Sequence, residues 1–496
     1  MAELPDPNNF QSRIMRELLT SLCVVALILL CAAGPFLATP DDIGPAYSGE
    51  AAVWLIGGNA ANYRYAVSVV NYVVSRFGYD YFSTAGFWII AFPLSVWFCS
   101  DQIVRYARLP PSLVPWMTLL VGLHGYFSEL YPFTMGYINY AIALGGSGLA
   151  IFAARRLSDR PLRSVAAIGG AGWIALVSYQ PFALTLLFAA ALALVHDQLT
   201  FEKSPRSIRN LAPLVAGFLL ACVLFLLSTR LATVMGLPSS GRAGTVSSVS
   251  ANLGPYALDI IHPFWNGVVP YRITFPLHER IIYAAAQIGI LGALIWRILK
   301  QPRNADAWWA TLAFAAAVAV TPNPMNLTTA TYWPTLRSMS QSAFWQVGCL
   351  LIAWTALKQL VRIQAAPRWF AVAFVCLSAA NQISLLHERF RQAEQDEVIA
   401  RAIVDDLRRI GALHQGVKIA IVSDWRSVAQ LHRAQYMDMN LSAFSTEWSN
   451  ANILRRASGL DLQLVRVDKT LCDGASGPWE VRKRDDIILV CMPPQH

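Results

Sequence analysis

The chain is built from long apolar runs separated by short polar connections. The runs centre near Leu27, Ala91, Leu120, Leu144, Ala171, Ala190, Leu219, Gly289, Ala316, Ile352 and Val375. A helix that crosses a bilayer needs about 20 mostly apolar residues, with some slack for tilt. The pattern therefore predicts a polytopic α-helical membrane protein of about eleven spans. The first run continues apolar through Gly34-Pro35-Phe36-Leu37, with no small-x-small cleavage site before Asp41, so it reads as a signal anchor.

Charge in the connections alternates. One set of short loops carries Arg13, Arg16, Arg105, Arg108, Arg155, Arg156 and eleven further Lys or Arg. The other, much longer set has only Arg64, Arg76, Arg230, Arg242, Arg272, Arg280 and Arg337. The positive-inside rule puts the N-terminus in the cytoplasm, and an odd span count puts the C-terminus on the far side. The C-terminal tail is therefore expected on the non-cytoplasmic side. Residues 39–83, 229–279, 322–338 and the tail then share the outer face. Within the first of these, Tyr63, Val67, Val70, Val74 and Phe77 fall at helical spacing, an amphipathic helix able to lie in the interface plane.

Composition agrees with this picture. Apolar residues make up 55% of the chain and charged ones 14%, against about 25% in soluble domains. The net charge of +9 lies wholly in the membrane part, because from His387 onward 15 Lys and Arg balance 15 Asp and Glu. No basic stripe interleaved with aromatics occurs in the tail, which excludes nucleic acid as a partner. The bilayer is the partner implied.

The tail divides the chain into residues 1–386, the membrane part, and 387–496, a small α/β domain. Ile399, Ile403, Leu407 and Ile410 mark one helical face, closed by Gly411. Residues 417–422, 460–467 and 487–491 read as strands. Ser423-Asp424-Trp425 stands where a phosphate-binding glycine loop would follow the first strand. Cys472 and Cys491 are the only cysteines in the tail, and an oxidising compartment favours a disulfide between them over two buried thiols.

Candidate chemistry collects on the outer face. Thr39-Pro40-Asp41-Asp42 follows the first span directly, and taken alone the acid pair reads first as a solvated acidic turn. With Arg64, Arg272, Arg280, Arg337, His262 and His278 in the outer loops, it suits group transfer from a lipid-linked phosphate. The phosphate that leaves needs no protonation, whereas the acceptor hydroxyl needs one carboxylate to take its proton. Cationic donors then offset charge on the phosphate, and Arg matches it through a planar fork. Glu50 and Glu129 are weaker acid candidates. Tyr179-Gln180-Pro181 is a tight turn between two spans, either a plain hairpin or a substrate contact through Gln180. No cofactor is called for, and two neighbouring acids leave weak divalent-cation binding open.

An acid pair after the first span, a Tyr-Gln turn halfway through the spans and an Arg in a late outer loop resemble the glucosyltransferase II family. These are serotype-converting O-antigen glucosyltransferases, similar in plan to multi-spanning glycosyltransferases of the GT-C type. The resemblance covers roughly residues 39 to 422 and includes the helix from Glu397 to Gly411 followed by Val417 to Val422. It implies that Asp41 or Asp42 is the catalytic base. It also implies that Arg64 and Arg337 contact the donor phosphate and that Gln180 lines the site. The function it implies is transfer of a glucose-like hexose from a polyprenyl-phosphate sugar donor to a cell-surface or lipid-linked glycan acceptor, on the periplasmic side of a bacterial inner membrane. Readings of other classes are a glycolipid transporter or flippase, and a non-catalytic subunit of an envelope assembly. Mid-span charges and matched broken helices, the usual marks of a transporter, are not seen in the sequence.

Overall fold

The computed structural model describes residues 7–33, 39–47, 54–79, 81–200, 211–237, 246–261, 276–330, 332, 335–360, 366–423, 427–428, 441–446 and 449–494. A helix covers each of the eleven apolar centres. Among the described residues, seven are long and apolar enough to cross a membrane. These are α1 (Pro7–Ala33), α4 (Tyr81–Tyr106), α6 (Tyr137–Arg156), α7 (Pro161–Ala183), α9 (Ala212–Val234), α11 (Leu277–Lys300) and α14 (Ala366–Arg409). The other four centres fall in α5 (Val114–Gly122), α8 (Thr185–Leu199), α12 (Ala305–Ala319) and α13 (Ser342–Leu360). Between them lie α2 (Pro40–Tyr47), α3 (Tyr65–Arg76) and α10 (Val246–Ile261).

Two of the shorter helices are short for a visible reason. α8 is buried on almost every side, from Thr185 through Gln198, so it is a core helix enclosed by protein. α5 is enclosed in the same way and gives way at Leu123 to a buried irregular stretch. Non-helical backbone at membrane depth is tolerated where protein surrounds it. The outward faces of α1, α9, α11 and α14 carry Leu22, Leu29, Leu226, Leu231, Ile288 and Ile383, all exposed. Such a belt is compatible with contact to lipid tails. Where helices approach most closely the sequence supplies glycine. A Cβ on Gly146 of α6 would stand 2.8 Å from the Ala171 carbonyl oxygen of α7.

The amphipathic helix expected in the first outer segment forms as α3, with its faces used differently. Val67 is buried, Val70 and Val74 are half-buried, and α3 packs on α7. The opposite face, Val69, Tyr72 and Val73, is also apolar and exposed.

The C-terminal domain is a four-stranded sheet, with β1 (Lys418–Val422), β2 (Gln463–Leu464), β3 (Glu480–Arg484) and β4 (Ile487–Cys491) in the order β2-β1-β4-β3. β1 runs parallel to β2 and β4, and β3 antiparallel to β4. The sequence boundary at 386/387 lies inside α14, a single helix of 44 residues. Ile403 and Leu407 near its C-terminal end pack on Ile419 and Val490 of the sheet and on Leu454 of α15 (Asn450–Ser458). Gly411 ends the helix at φ +67°, where glycine avoids the steric cost of a side chain. α2 belongs to this core as well, since Ile43 is buried within it.

Cys472 and Cys491 form a disulfide that ties β4 to the turn before β3. Closing a loop of 19 residues stabilises a domain by about 3 kcal/mol in the chain-entropy account. Cys472→Ser with Cys491→Ser is expected to lower the melting temperature of the purified protein. In intact cells neither thiol should accept a maleimide before reduction; labelling without reductant would contradict the bond.

Candidate active site

The stretch from Leu123 to Thr134 joins α5 to α6 and is buried throughout. Backbone groups without water must find protein partners. Gln382 of α14 donates to the carbonyls of Leu123 (3.1 Å) and His124 (2.9 Å). Glu279 of α11 accepts from the Gly125 amide at 3.1 Å, and Asp42 of α2 from the Met135 amide at 2.9 Å. Tyr131 donates to the Gly122 carbonyl, and Tyr137 to the Tyr131 carbonyl at 2.6 Å. His124 accepts the Tyr126 amide on Nδ1 (3.1 Å), so its proton sits on Nε2, which donates to Gln346 at 2.9 Å. With one ring nitrogen accepting and the other donating, this imidazole is neutral. We call residues 123–136 the hub.

Glu129 projects from the hub and accepts the Arg337 amide at 2.8 Å. Arg337 opens a single 3₁₀ turn, Arg337–Met339, held from several sides. Asn323 donates to the Ser338 carbonyl (3.0 Å), and Gln341 and Ser342 donate to the Thr321 carbonyl (2.9 and 2.6 Å). The Arg337 guanidinium lies 4.0 Å from the centroid of the hub's Phe133 ring. Arg64, just before α3, stands 5.3 Å from the Tyr179 ring, and Gln180 donates to the Asn62 carbonyl at 3.4 Å. Tyr179 meets Tyr140 edge-on at 4.9 Å. Tyr179, Arg337, Arg64 and Glu129 all lie close enough to act electrostatically on the Tyr140 hydroxyl. The structure thus gathers Arg64, Gln180 and Arg337 at one end of the bundle, with Glu129 among them.

The acid pair has a local explanation. Thr39 caps α2: its hydroxyl accepts the Asp42 amide (3.2 Å) and donates to the Asp42 carboxylate (2.8 Å), with Pro40 in the first turn. Asp42 is fully buried, bonded through both oxygens, and its charge acts on buried Arg389 of α14. The side chain of Asp41 and all of His262 and Arg272 lie outside the described residues. Among the described residues, no three His, Cys, Asp or Glu side chains are grouped to hold a metal ion.

Sequence reasoning passed over Asp259 on α10. This carboxylate is 3% exposed and accepts from the Tyr332 hydroxyl. α10 itself is docked on the turn preceding Arg337: Asn252 donates to the Thr329 carbonyl (2.8 Å) and Tyr256 to the Ala319 carbonyl (2.6 Å). An acid set within Tyr256-Ala-Leu-Asp-Ile-Ile was the available signal. Glu279 and Gln382 were missed because their partners are backbone groups far along the chain.

A scan against protein-family models finds no matching family, and a search of curated proteins finds no match.

The dual role of Asp42 gives a prediction. Asp42→Ala strands the Met135 amide and removes a compensating charge near Arg389. Breaking a buried charge network in this way costs about 3 kcal/mol. The variant is expected to show markedly lower thermal stability in detergent; wild-type melting would mean that the carboxylate holds nothing in place.

Proposed function

We propose that the protein is a membrane glycosyltransferase that moves a hexose from a polyprenyl-phosphate carrier to a glycan acceptor. The observation that carries this reading is the convergence of Arg64 and Arg337, from segments far apart in sequence, around Tyr140 and Tyr179 beside the Glu129 carboxylate. The distribution of basic residues supports about eleven spans with the N-terminus in the cytoplasm and this end facing the periplasm.

In the reaction, the acceptor oxygen bonds to the anomeric carbon of the hexose. The bond from that carbon to phosphate breaks, and its electron pair leaves with the polyprenyl phosphate. The acceptor's proton passes to a carboxylate. Asp42 already spends both oxygens on the protein, which leaves Asp41 as the member of the pair suited to that role. The two guanidiniums stabilise charge on the departing phosphate, where a desolvated setting strengthens them.

One observation favours a transporter or flippase instead. Glu279 is a fully buried carboxylate in the first turn of a helix able to cross the membrane, and intramembrane acids often serve ion pathways. Its bond to the Gly125 amide supports a positioning role equally well.

Transfer of radiolabelled glucose from polyprenyl-phosphate glucose to the host's purified polysaccharide, by the full chain in detergent, discriminates the two. Arg337→Ala is expected to lower kcat about 100-fold, the scale for loss of one charge-stabilising donor. Arg337→Lys should recover part of it, since a point charge replaces the fork. Equal rates in wild type and Arg337→Ala would remove Arg337 from the chemistry. No transfer by wild type, with glycolipid moved across vesicles, would establish the transport reading.

A further inference from the structure

Asp259 is a carboxylate with unused capacity. Its Oδ2 accepts from Tyr332, while its Oδ1 is buried with no hydrogen-bond partner among the described residues. A buried acceptor without a donor costs about 1–3 kcal/mol, so its persistence needs an explanation. Its surroundings are aromatic: the Tyr126 and Tyr256 hydroxyls, besides that of Tyr332, feel its charge. Tyr126 belongs to the hub, three residues before Glu129, and Tyr332 stands five residues before Arg337. The turn that carries Tyr126 packs on the Arg337 turn, so the group borders the arginine site.

We propose that Asp259, with Tyr332 and Tyr126, forms a subsite that receives a hydroxyl group of a sugar. The proposal rests on the glycosyltransferase reading and divides the substrates by charge. An ionised carboxylate offers acceptor positions alone, so it repels phosphate and must face a donor. Neutral sugar hydroxyls supply that donor, and tyrosine rings present apolar faces to the C–H edges of a sugar. Arg64 and Arg337 are left for the anionic end of the carrier. The chemistry fits the hexose being moved or the glycan receiving it.

The alternative is that Asp259 only anchors Tyr332 and, through it, the Arg337 turn. Asp259→Asn separates the two, because the amide oxygen still accepts from Tyr332 while Oδ1 becomes replaceable by a donor. With polyprenyl-phosphate glucose and the host polysaccharide as substrates, this variant is expected to raise KM about tenfold for one of them and leave kcat within twofold. Whichever KM moves identifies the sugar. Burial pushes this carboxyl up to about 6, against its hydrogen bond from Tyr332. Wild-type KM should therefore rise as pH falls through about 6, and that dependence should vanish in Asp259→Asn. If that variant fails to insert, Asp259→Glu keeps the charge, shifts it by one methylene, and is expected to raise the same KM. Unchanged KM for both substrates, or a loss confined to kcat, overturns the subsite. Wild type that transfers no hexose overturns the functional reading, and the subsite with it.

Discussion

The seat of Arg337 in the candidate site depends on satisfying the backbone of residues 123–136. A helix that stops at Gly122, inside a protein-packed interior, leaves amides and carbonyls that no water can reach. The partners come from remote elements: Glu279 on α11, Gln382 on α14 and Asp42 on α2. Each bond fixes the hub and also fixes the element that supplies it. Irregular backbone is thereby tied to three separate elements of the chain. Phe133 and Glu129, both on the hub, can then act as a rigid seat for Arg337.

The C-terminal domain is joined to that seat through α2. Ile43 packs into the domain's core, Asp42 on the same short helix bonds the hub, and Arg455 of α15 donates to the Tyr47 carbonyl at 3.3 Å. α14 makes a second connection, because it bonds the hub through Gln382 and supplies Ile403 and Leu407 to the domain. Arg389, between these positions on α14, donates to the Leu441 carbonyl at 2.8 Å and feels both Asp396 and Asp42. A helix of 44 residues that serves the bundle and the sheet is a stiff strut. The domain therefore contributes to holding the candidate site, whatever else it binds.

Legibility in the sequence followed the range of the interactions. Apolar runs are local, and a helix stands at every centre they mark; their lengths were less readable, because α5 and α8 are enclosed by protein and need not match a bilayer. The Cys472–Cys491 pair was readable from number and compartment. β3 escaped notice because Glu480-Val-Arg-Lys-Arg484 offers one apolar residue to a periodicity test. Only the resemblance grouped Arg64, Gln180 and Arg337; their meeting is a fact of packing that no single stretch of sequence encodes. Thr39-Pro-Asp-Asp42 is the most instructive case. The same four residues that suggest an acid pair for catalysis also spell a helix cap, and burial commits Asp42 to the second role. Glu129 ranked low among the acids as a group that simply faced water, yet it is buried beside Arg337.

The central claim is that this end of the bundle adds a hexose to a glycan. Mass analysis of the host's surface polysaccharide tests it most directly, with the gene intact, deleted, and carrying Asp41→Asn. The account predicts a repeat unit lighter by one hexose in both altered strains, with the Asp41→Asn protein still inserted and abundant. A repeat of unchanged mass in the deletion strain would contradict it.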